Sequence, residues 1–256
     1  MMKYKLIIVF CIGFGILKSQ ETENAAKTIT SADLNKTVSY LASKKLEGRL
    51  SGTRGYNMAA DYMSEKFKQL GLKPLGDSAY YQFFNVESNE IISPCYISKD
   101  QKVKYTPGKD FVCRGFTGSG HFTKEVVFCG YGQELSEAGY DDYKKVNVKD
   151  KIVMIFKKNP TWKIDNHKWK IRSIRDKVSL AKENGAVGVL FVSRPNHKHP
   201  QKTIGSVMAG DGEHHADFPQ VHITIDLANQ FLGKTELSLS DLQKKIDEKK
   251  KPYSLN

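Results

Sequence analysis

The first apolar positions of the chain recur with the period of an amphipathic helix. Thr30 or Ser31 can cap this helix, and Gly48 marks its end. Its apolar positions are spaced four and three residues apart, at Leu34, Val38 and Leu41. Because the remaining positions are polar, the helix has one apolar side, and we expect that side to pack against another element.

A second amphipathic helix follows a loop that runs from Gly48 to Thr53. It is predicted to end at Gly71, with Pro74 just beyond, which is the usual order of residues at a helix C-terminus. Its apolar stripe consists of Tyr56, Ala59, Met63, Phe67 and Leu70. The two stripes lack an obvious partner in the sequence, so we expect their residues to be more exposed than the apolar run at 151–156.

From residue 81 onward the pattern becomes that of strands with intervening helices. Strands are predicted at 81–86, 125–131, 151–156, 187–192 and 219–224, and a hairpin is predicted between 95–97 and 102–105. A helix with its apolar stripe at Ile174, Val178 and Ala181 ends at Gly185 and joins two of these strands. This strand, helix, strand order predicts a βαβ unit, and a helix over 239–248 closes the pattern.

The pattern as a whole predicts an α/β protein, with a short N-terminal helical segment followed by a β-rich domain that contains the βαβ unit. Four segments are expected in chain order: a signal peptide at 1–19, the helical segment at 20–90, the β-rich domain at 91–235, and a C-terminal helix with a basic tail at 236–256.

The first nineteen residues have the features of a secretory signal. Lys3 and Lys5 precede an apolar run from Leu6 to Leu17, and Lys18-Ser19-Gln20 fits a cleavage site. The run is too short to span a membrane. We therefore expect a secreted or periplasmic protein with no membrane insertion after the signal is removed.

Composition and charge argue against nucleic-acid binding. The net charge of +12 falls to +9 once the three lysines of the signal are removed. The other lysines are scattered, and the one dense run, Lys249-Lys250-Lys251, has the character of a solvated tail. Since no aromatic platform alternates with a basic stripe, a basic surface on an exported protein is the simpler interpretation.

Three cysteines remain after signal removal: Cys95, Cys113 and Cys129. An odd number leaves at least one thiol unpaired. A bridge between Cys95 and Cys113 is one option, but spacing does not decide the pairing. No C-x-x-C motif is present, so neither a zinc knuckle nor a redox pair is indicated.

Seven histidines raise the question of a metal site. His197 and His199 lie in a proline-flanked loop without a nearby carboxylate. The densest cluster is Asp211-Gly-Glu213-His214-His215-Ala-Asp217, which could hold a borderline cation. Its glycine and the following proline favour a solvated turn instead, and the H-E-x-x-H motif is absent.

Two further motifs have structural interpretations. Asp141 and Asp142 follow a glycine and are expected to form a turn or cap, because adjacent carboxylates usually point in different directions. Gly130-Tyr131-Gly132 is expected to be a strand-end turn, since it lacks the third glycine of a phosphate loop. With no G-x-S-x-G elbow either, the sequence offers no catalytic, cofactor-binding or metal-ligating set.

Two sets of residues, in this order and spacing, resemble one family. The first set is Leu46-x-Gly48-Arg49, Gly52-Thr53, Gly55, Ala59-Ala60-x-Tyr62, Gly71-Leu72-x-Pro74 and Tyr80-x-Gln82-x-Phe84. The second is Val126-Val-Phe-x-Gly130-Tyr-Gly132, Asp141-Asp142-Tyr143, Lys151-Ile-Val153 and Ala181-x-x-x-Gly185-Ala186-x-Gly188-Val-Leu190. The first resembles the N-terminal region of the exported di-zinc aminopeptidases, the family-28 metallopeptidases. The second resembles the protease-associated (PA) domain that many of them carry.

The resemblance implies a zinc enzyme whose chemistry resides in a further domain. In that family, a catalytic domain supplies a His-x-Asp ligand pair, a bridging Asp, a Glu-Glu pair and a later Asp and His, which hold two zinc ions. This chain has only His215-Ala-Asp217, in a predicted turn, and we do not assign it the ligand role. By resemblance, residues 31–90 would pack on the catalytic domain and residues 91–235 would form a lid near the active site.

Three hypotheses follow. The leading one is that the chain is the non-catalytic N-terminal and lid portion of an exported zinc aminopeptidase that releases N-terminal residues from peptides. The alternative is a stand-alone PA-domain module that binds a protein or peptide without hydrolysis. The third is a metal enzyme that uses the loop at 211–217.

Overall fold

The computed structural model describes residues 27–100, 102–165, 167–206, 210, 212, 214–233 and 235–256. The predicted signal peptide at 1–19 lies outside these residues. The chain divides into two compact units, one up to Val86 and one from Glu87 onward. This division falls four residues before the boundary expected from the sequence.

The first unit contains two helices, α1 (Ser31–Leu41) and α2 (Arg54–Gln69). The Thr30 hydroxyl caps α1 by accepting a hydrogen bond from the Asp33 N–H at 3.1 Å. The helix ends at Leu41 rather than Gly48, because a separate 3₁₀ turn (Lys44–Leu46) follows it. The predicted end of α2 is confirmed: Gly71 has φ +67°, and the Leu72 N–H bonds to the Phe67 carbonyl, as in a Schellman motif.

The glycine at position 55 allows α2 to start directly against the 3₁₀ turn. A Cβ atom there would lie 1.9 Å from the Leu46 carbonyl oxygen, so no other residue fits without moving the backbone. The Leu46 side chain is fully buried. The glycine therefore fixes how closely the two segments approach.

The apolar stripes of α1 and α2 are exposed, as predicted. Leu34, Val38 and Leu70 are 56, 61 and 73% exposed, and the other three residues of the comparison, Leu41, Met63 and Phe67, are half-buried. By contrast, Val153 to Phe156 in the second unit are completely buried.

The predicted strand at 81–86 is wrong. Only an isolated bridge between Ser78 and Tyr81 forms, and Phe83 and Phe84 are 72 and 63% exposed. The alternation of the sequence is real, but a strand needs a neighbour to accept its hydrogen bonds. No neighbouring strand lies beside this segment in the described residues.

The strands of the second unit are β1 Ile97–Lys99, β2 Val103–Tyr105, β3 Phe111–Cys113, β4 Val126–Cys129, β5 Glu134–Leu135, β6 Tyr140–Asp141, β7 Ile152–Phe156, β8 Gly188–Val192, β9 Gln220–Ile223 and β10 Ser254–Leu255. Six of them form a mixed sheet in the order β10-β4-β7-β8-β9-β3. Strands β4, β7, β8 and β9 are parallel, and β3 and β10 add antiparallel edges. Two pairs lie outside this sheet: β1 with β2, which is the predicted hairpin, and β5 with β6.

Helices cover both faces of this sheet. The helix α3 (Ile174–Glu183) connects β7 to β8 and packs on one face, so the predicted βαβ unit is confirmed. On the opposite face lie α4 (Ile225–Phe231) and α5 (Leu239–Lys249). Successive residues of β7 point to alternate faces, which explains why its whole run is apolar.

The C-terminal segment belongs to the second unit. The α5 residues Leu239, Leu242 and Ile246 are fully buried, and β10 pairs with β4. The expected division at 235/236 therefore falls inside a compact unit. The strand β10 and the helix α4 were not predicted from the sequence, whereas the three lysines at 249–251 are exposed as expected.

The structure brings Cys95 and Cys113 together. Their Sγ atoms lie 3.9 Å apart, whereas Cys129 is a buried free thiol. Burial, the Cys95 charge and a Cys95 hydrogen bond raise the pKa of Cys113 to about 12, so in the reduced protein this group is a protonated thiol. A bridge would close a loop that includes the β1–β2 hairpin.

We expect oxidised glutathione to convert the Cys95 and Cys113 thiols into a disulfide, with transfer of two electrons and two protons to the glutathione, which leaves as two molecules of reduced glutathione. Linking the ends of this loop should raise the free energy of unfolding by about 3 kcal/mol. Peptide mapping by mass spectrometry and chemical denaturation measure the link and its effect. Cys129→Ser is the control and should oxidise normally. A bridge that involves Cys129, or none at all, would contradict the expectation.

Candidate functional site

A buried carboxylate organises the turn after β4. Asp142 is fully buried, and its Oδ2 accepts hydrogen bonds from the backbone N–H groups of Tyr131 and Gln133 at 3.1 and 3.0 Å. Its Oδ1 accepts from the Tyr140 hydroxyl at 3.1 Å. A Cβ atom on Gly130 would lie 2.5 Å from that Oδ1, and Gly130 also has φ +47°. The predicted turn is confirmed, and the carboxylate is the reason for its glycine.

The buried cation on α3 completes this cluster. Lys177 is 1% exposed, and its Nζ donates to the carbonyl oxygens of Tyr131 and Phe156, both at 2.7 Å. Burial raises the pKa of the Asp142 carboxyl, while its hydrogen-bond donors and the Lys177 charge oppose that rise. Burial lowers the pKa of Lys177, and the Asp142 charge opposes that fall. The pair joins α3 to the carboxyl ends of β4 and β7.

An aromatic cluster holds the long connection between β7 and α3. The rings of Trp162 and Trp169 lie 5.2 Å apart, and Trp169 is 5.0 Å from the ring of Tyr140. The Asp247 carboxylate on α5 accepts from the Trp162 indole N–H at 2.8 Å and from the Tyr131 hydroxyl at 2.7 Å. The connection is therefore tied to the cluster around Asp142 and to the opposite face of the sheet.

This connection forms one wall of a basic pocket of about 520 Å³. The pocket is lined by Arg114, Lys157, Lys158, Asn159, Arg172, Ser173 and Ile174. Four of these side chains are cationic and none carries a carboxylate. The pocket lies where β7 ends and α3 begins, a common position for ligands in α/β proteins.

Lys157 is the most buried cation of the pocket. It is 9% exposed, and its Nζ donates to the Gln201 side-chain oxygen at 2.9 Å. Burial, together with the charges of Arg114 and Lys158, lowers the pKa of Lys157 to about 8. Burial also lowers the pKa of Arg114, which donates to the Ile204 carbonyl at 2.7 Å.

A fully buried imidazole, that of His222, lies near Lys157 and Arg114. Its Nδ1 accepts a hydrogen bond from the Ile204 N–H at 3.4 Å, and its Nε2 lies 3.1 Å from the Ser193 hydroxyl. Because that hydroxyl donates to the Gln201 carbonyl, the Nε2 carries the proton and donates to Ser193. Burial and the charges of Lys157 and Arg114 lower the pKa of His222 to about 4, so the imidazole is neutral at physiological pH.

The residues considered as metal ligands in the sequence are placed apart or otherwise engaged. In an exposed turn, the Nδ1 atom of the His197 ring lies 3.2 Å from the backbone nitrogen and 2.9 Å from the carbonyl oxygen of His199. His215 and Asp217 share Lys182, whose Nζ lies 3.4 Å from the imidazole Nδ1 and 3.2 Å from the carboxylate. Asp211 and Glu213 lie outside the described residues.

The described part of the chain does not fit a zinc site. It contains no group of three or more His, Cys, Asp or Glu side chains placed to hold a metal ion. A dication between His215 and Asp217 would have to displace the ammonium group of Lys182, and within the described residues this pair falls short of the three or four ligands that zinc needs.

Sequence reasoning missed the buried charges, although signals for two of them exist. Lys177 lies three residues after Ile174, on the same side of α3 as the apolar stripe, so its burial follows from the helical period. Lys157 and Lys158 directly follow the apolar run of β7, at the carboxyl end of a parallel strand. No such signal marks Arg114, which depends on the position of the chain around Ile204.

The comparisons with known proteins identify the fold of the second unit. Residues 122–231 match the family model described as "PA domain", so this part of the chain is a PA domain. The search of curated proteins finds no match. Among solved structures, the chain is similar to "Aminopeptidase from Aneurinibacillus sp. strain AM-1", with 17% identity and a TM-score of 0.43.

That alignment covers 80% of this chain and 40% of the aminopeptidase chain, so the protein spans less than half the length of this relative. A likeness at this level assigns no activity to the chain. Within the described residues, no helix has the length and apolar character needed to cross a membrane.

Replacing Asp142 by Asn should lower the free energy of unfolding by about 3–5 kcal/mol, because Lys177 would keep a buried charge without its counter-charge. Urea denaturation measures the change. Asp141→Asn is the matched control: Asp141 accepts from two backbone N–H groups in a half-exposed turn, and its loss should cost about 1 kcal/mol. Equal losses in the two variants would contradict the role given to the buried pair.

His222 should make the folded protein less stable as the pH is lowered from 6.5 to 4. In this window the unfolded chain binds a proton on His222 and the folded chain does not, so acid favours unfolding by up to about 3 kcal/mol. Urea denaturation at several pH values measures the slope, and His222→Gln should flatten it. Comparing the two proteins isolates His222 from Asp142, whose raised pKa acts in the opposite direction. Identical slopes would refute the assignment.

Proposed function

We propose that this chain is the N-terminal and lid portion of an exported zinc aminopeptidase that releases N-terminal residues from peptides. In this proposal the catalytic zinc ions are held by a separate domain. The helical unit packs on that domain, and the PA domain controls access to its active site. The chain itself performs no hydrolysis.

The observation that carries the proposal is the combination of a PA domain with a helical unit whose apolar stripes remain partly exposed in the described residues. Leu34, Val38 and Leu70 are each more than half exposed. Exposed apolar surface of this kind usually marks a protein interface. In the aminopeptidases that the sequence resembles, the corresponding helices pack on the catalytic domain.

The chemistry of the side chains supports a non-catalytic role for this portion. The one candidate pair, His215 and Asp217, is engaged by Lys182. The buried titratable groups, Asp142 and Lys177, are enclosed and bonded to the backbone, where no substrate could reach them.

The second candidate function is a stand-alone PA-domain module that binds a protein or peptide. It is favoured by the self-contained core of the second unit, in which helices from this chain cover both faces of the sheet. Such a unit needs no catalytic domain in order to fold.

The purified chain, supplied with zinc and leucine p-nitroanilide, should release no nitroaniline above the buffer rate. His215→Ala serves as the matched variant. Turnover that a chelator abolishes and that falls in this variant would overturn the proposal in favour of a metal site near residue 215. Sequencing the transcript beyond codon 256 then separates the two remaining functions. A continuing frame with His-x-Asp and Glu-Glu motifs supports the aminopeptidase, and a stop codon followed by an unrelated gene supports the binding module.

A further inference from the structure

We propose that the basic pocket at the start of α3 binds a carboxylate-bearing segment of a peptide, with Arg114, Lys157, Lys158 and Arg172 as its cationic contacts. The pocket lies entirely within the second unit. Peptide binding by this pocket does not depend on whether the chain is part of an aminopeptidase or acts alone. The experiments that test it require neither zinc nor catalytic turnover.

The first argument is the imbalance of charge. None of the ion pairs formed among the described residues includes any of the four cations. An acidic group beside the pocket is Asp176, whose carboxylate accepts from the backbone N–H groups of Arg172 and Ser173. Since that carboxylate already occupies these amides, the cations rather than the helix N-terminus carry the site.

The second argument is the state of Lys157. A cation that is nine-tenths buried normally has a carboxylate partner, yet the Lys157 Nζ is held by the neutral oxygen of Gln201. The charged groups that face it, Arg114 and Lys158, are both positive, and the neighbouring His222 is neutral. A bound carboxylate would supply the missing negative charge.

The shape and lining of the pocket favour a peptide over other anions. A volume of about 520 Å³ lies in the range of sites for organic ligands and exceeds the needs of a single inorganic ion. A nucleic acid would require aromatic rings for stacking, but none lines the pocket; Trp162 and Trp169 pack against Tyr131 and Tyr140 instead. Peptide recognition also agrees with the PA domain, of which β7 and α3 are parts.

The probe is a fluorescein-labelled peptide with the core Gly-Glu-Glu-Gly, and its partner carries Gln in place of both Glu residues. We expect fluorescence anisotropy to show saturable binding of the acidic peptide and at least fivefold weaker binding of the neutral one, because charge-assisted hydrogen bonds to carboxylate are lost. Inorganic phosphate alone is tested as a competitor. Equal affinity for the two peptides, or binding of phosphate without binding of the acidic peptide, would overturn the proposal.

The test variants are Lys158→Gln and Arg172→Gln, both at exposed positions, where a fold defect is not expected. Together they should weaken binding roughly tenfold. The matched control is Lys145→Gln, an exposed lysine of the same unit that does not line the pocket, and its affinity should stay within twofold of the parent. A loss as large in the control would mean that the net positive charge, not the pocket, attracts the peptide, and would refute the proposal. Thermal melts confirm that all variants are folded.

A second measurement locates the ligand next to Lys157. The pKa of Lys157 is lowered to about 8 in the protein without ligand, so a carboxylate beside it should raise that pKa and cause proton uptake on binding near pH 8. Calorimetry in two buffers of different ionisation enthalpy counts the protons. Uptake on binding supports the site, and peptide binding without uptake would place the ligand elsewhere on the surface.

Discussion

The arrangement of the second unit depends on the carboxylate of Asp142. A buried charge is tolerated only when its hydrogen-bonding capacity is satisfied, and this one is met by two backbone N–H groups, the Tyr140 hydroxyl and the charge of Lys177. The turn after β4 is shaped around it. From that turn, the Tyr131 hydroxyl reaches Asp247 on the opposite face of the sheet. One carboxylate thus connects the sheet, α3 and the aromatic cluster that orders the wall of the pocket.

The two buried lysines of this unit have opposite consequences. Lys177 has a complete set of partners: two carbonyl oxygens at 2.7 Å and the Asp142 charge nearby. Its role is to join elements, and it leaves nothing for a ligand to add. Lys157 has one neutral partner and two positive neighbours, so its burial is electrostatically incomplete. A buried lysine therefore has a structural role at position 177, whereas the lysine at position 157 lacks a negative partner that an anion could supply.

The local pattern of apolar residues was sufficient to predict β7 and α3, whose buried positions follow one regular period. The run of β7 and the stripe of α3 are apolar because helices and neighbouring strands enclose them, and both were predicted from period alone. The segment 81–86 has the period-two pattern of a half-buried strand but no strand beside it in the described residues, and the period of a sequence cannot reveal a missing neighbour. The strand β10 was missed for the opposite reason. Its two residues, Ser254 and Leu255, carry no strand pattern of their own and form a strand because they pair with the edge of β4. The pocket contains residues of both kinds. The position of Lys157 could be predicted because it directly follows β7, whereas Arg114 comes near Lys157 only once the chain has folded.

The two units differ in what they need to be stable. The second unit buries both faces of its sheet with its own helices. The first unit contains helices with one apolar side that stays exposed, and isolated helices of this length gain most of their stability from packing. Packing against a partner would therefore stabilise the first unit, whereas the pocket lacks only an anion. In the proposed function, the first surface stays against a neighbouring domain, while the pocket remains open for exchange with a peptide.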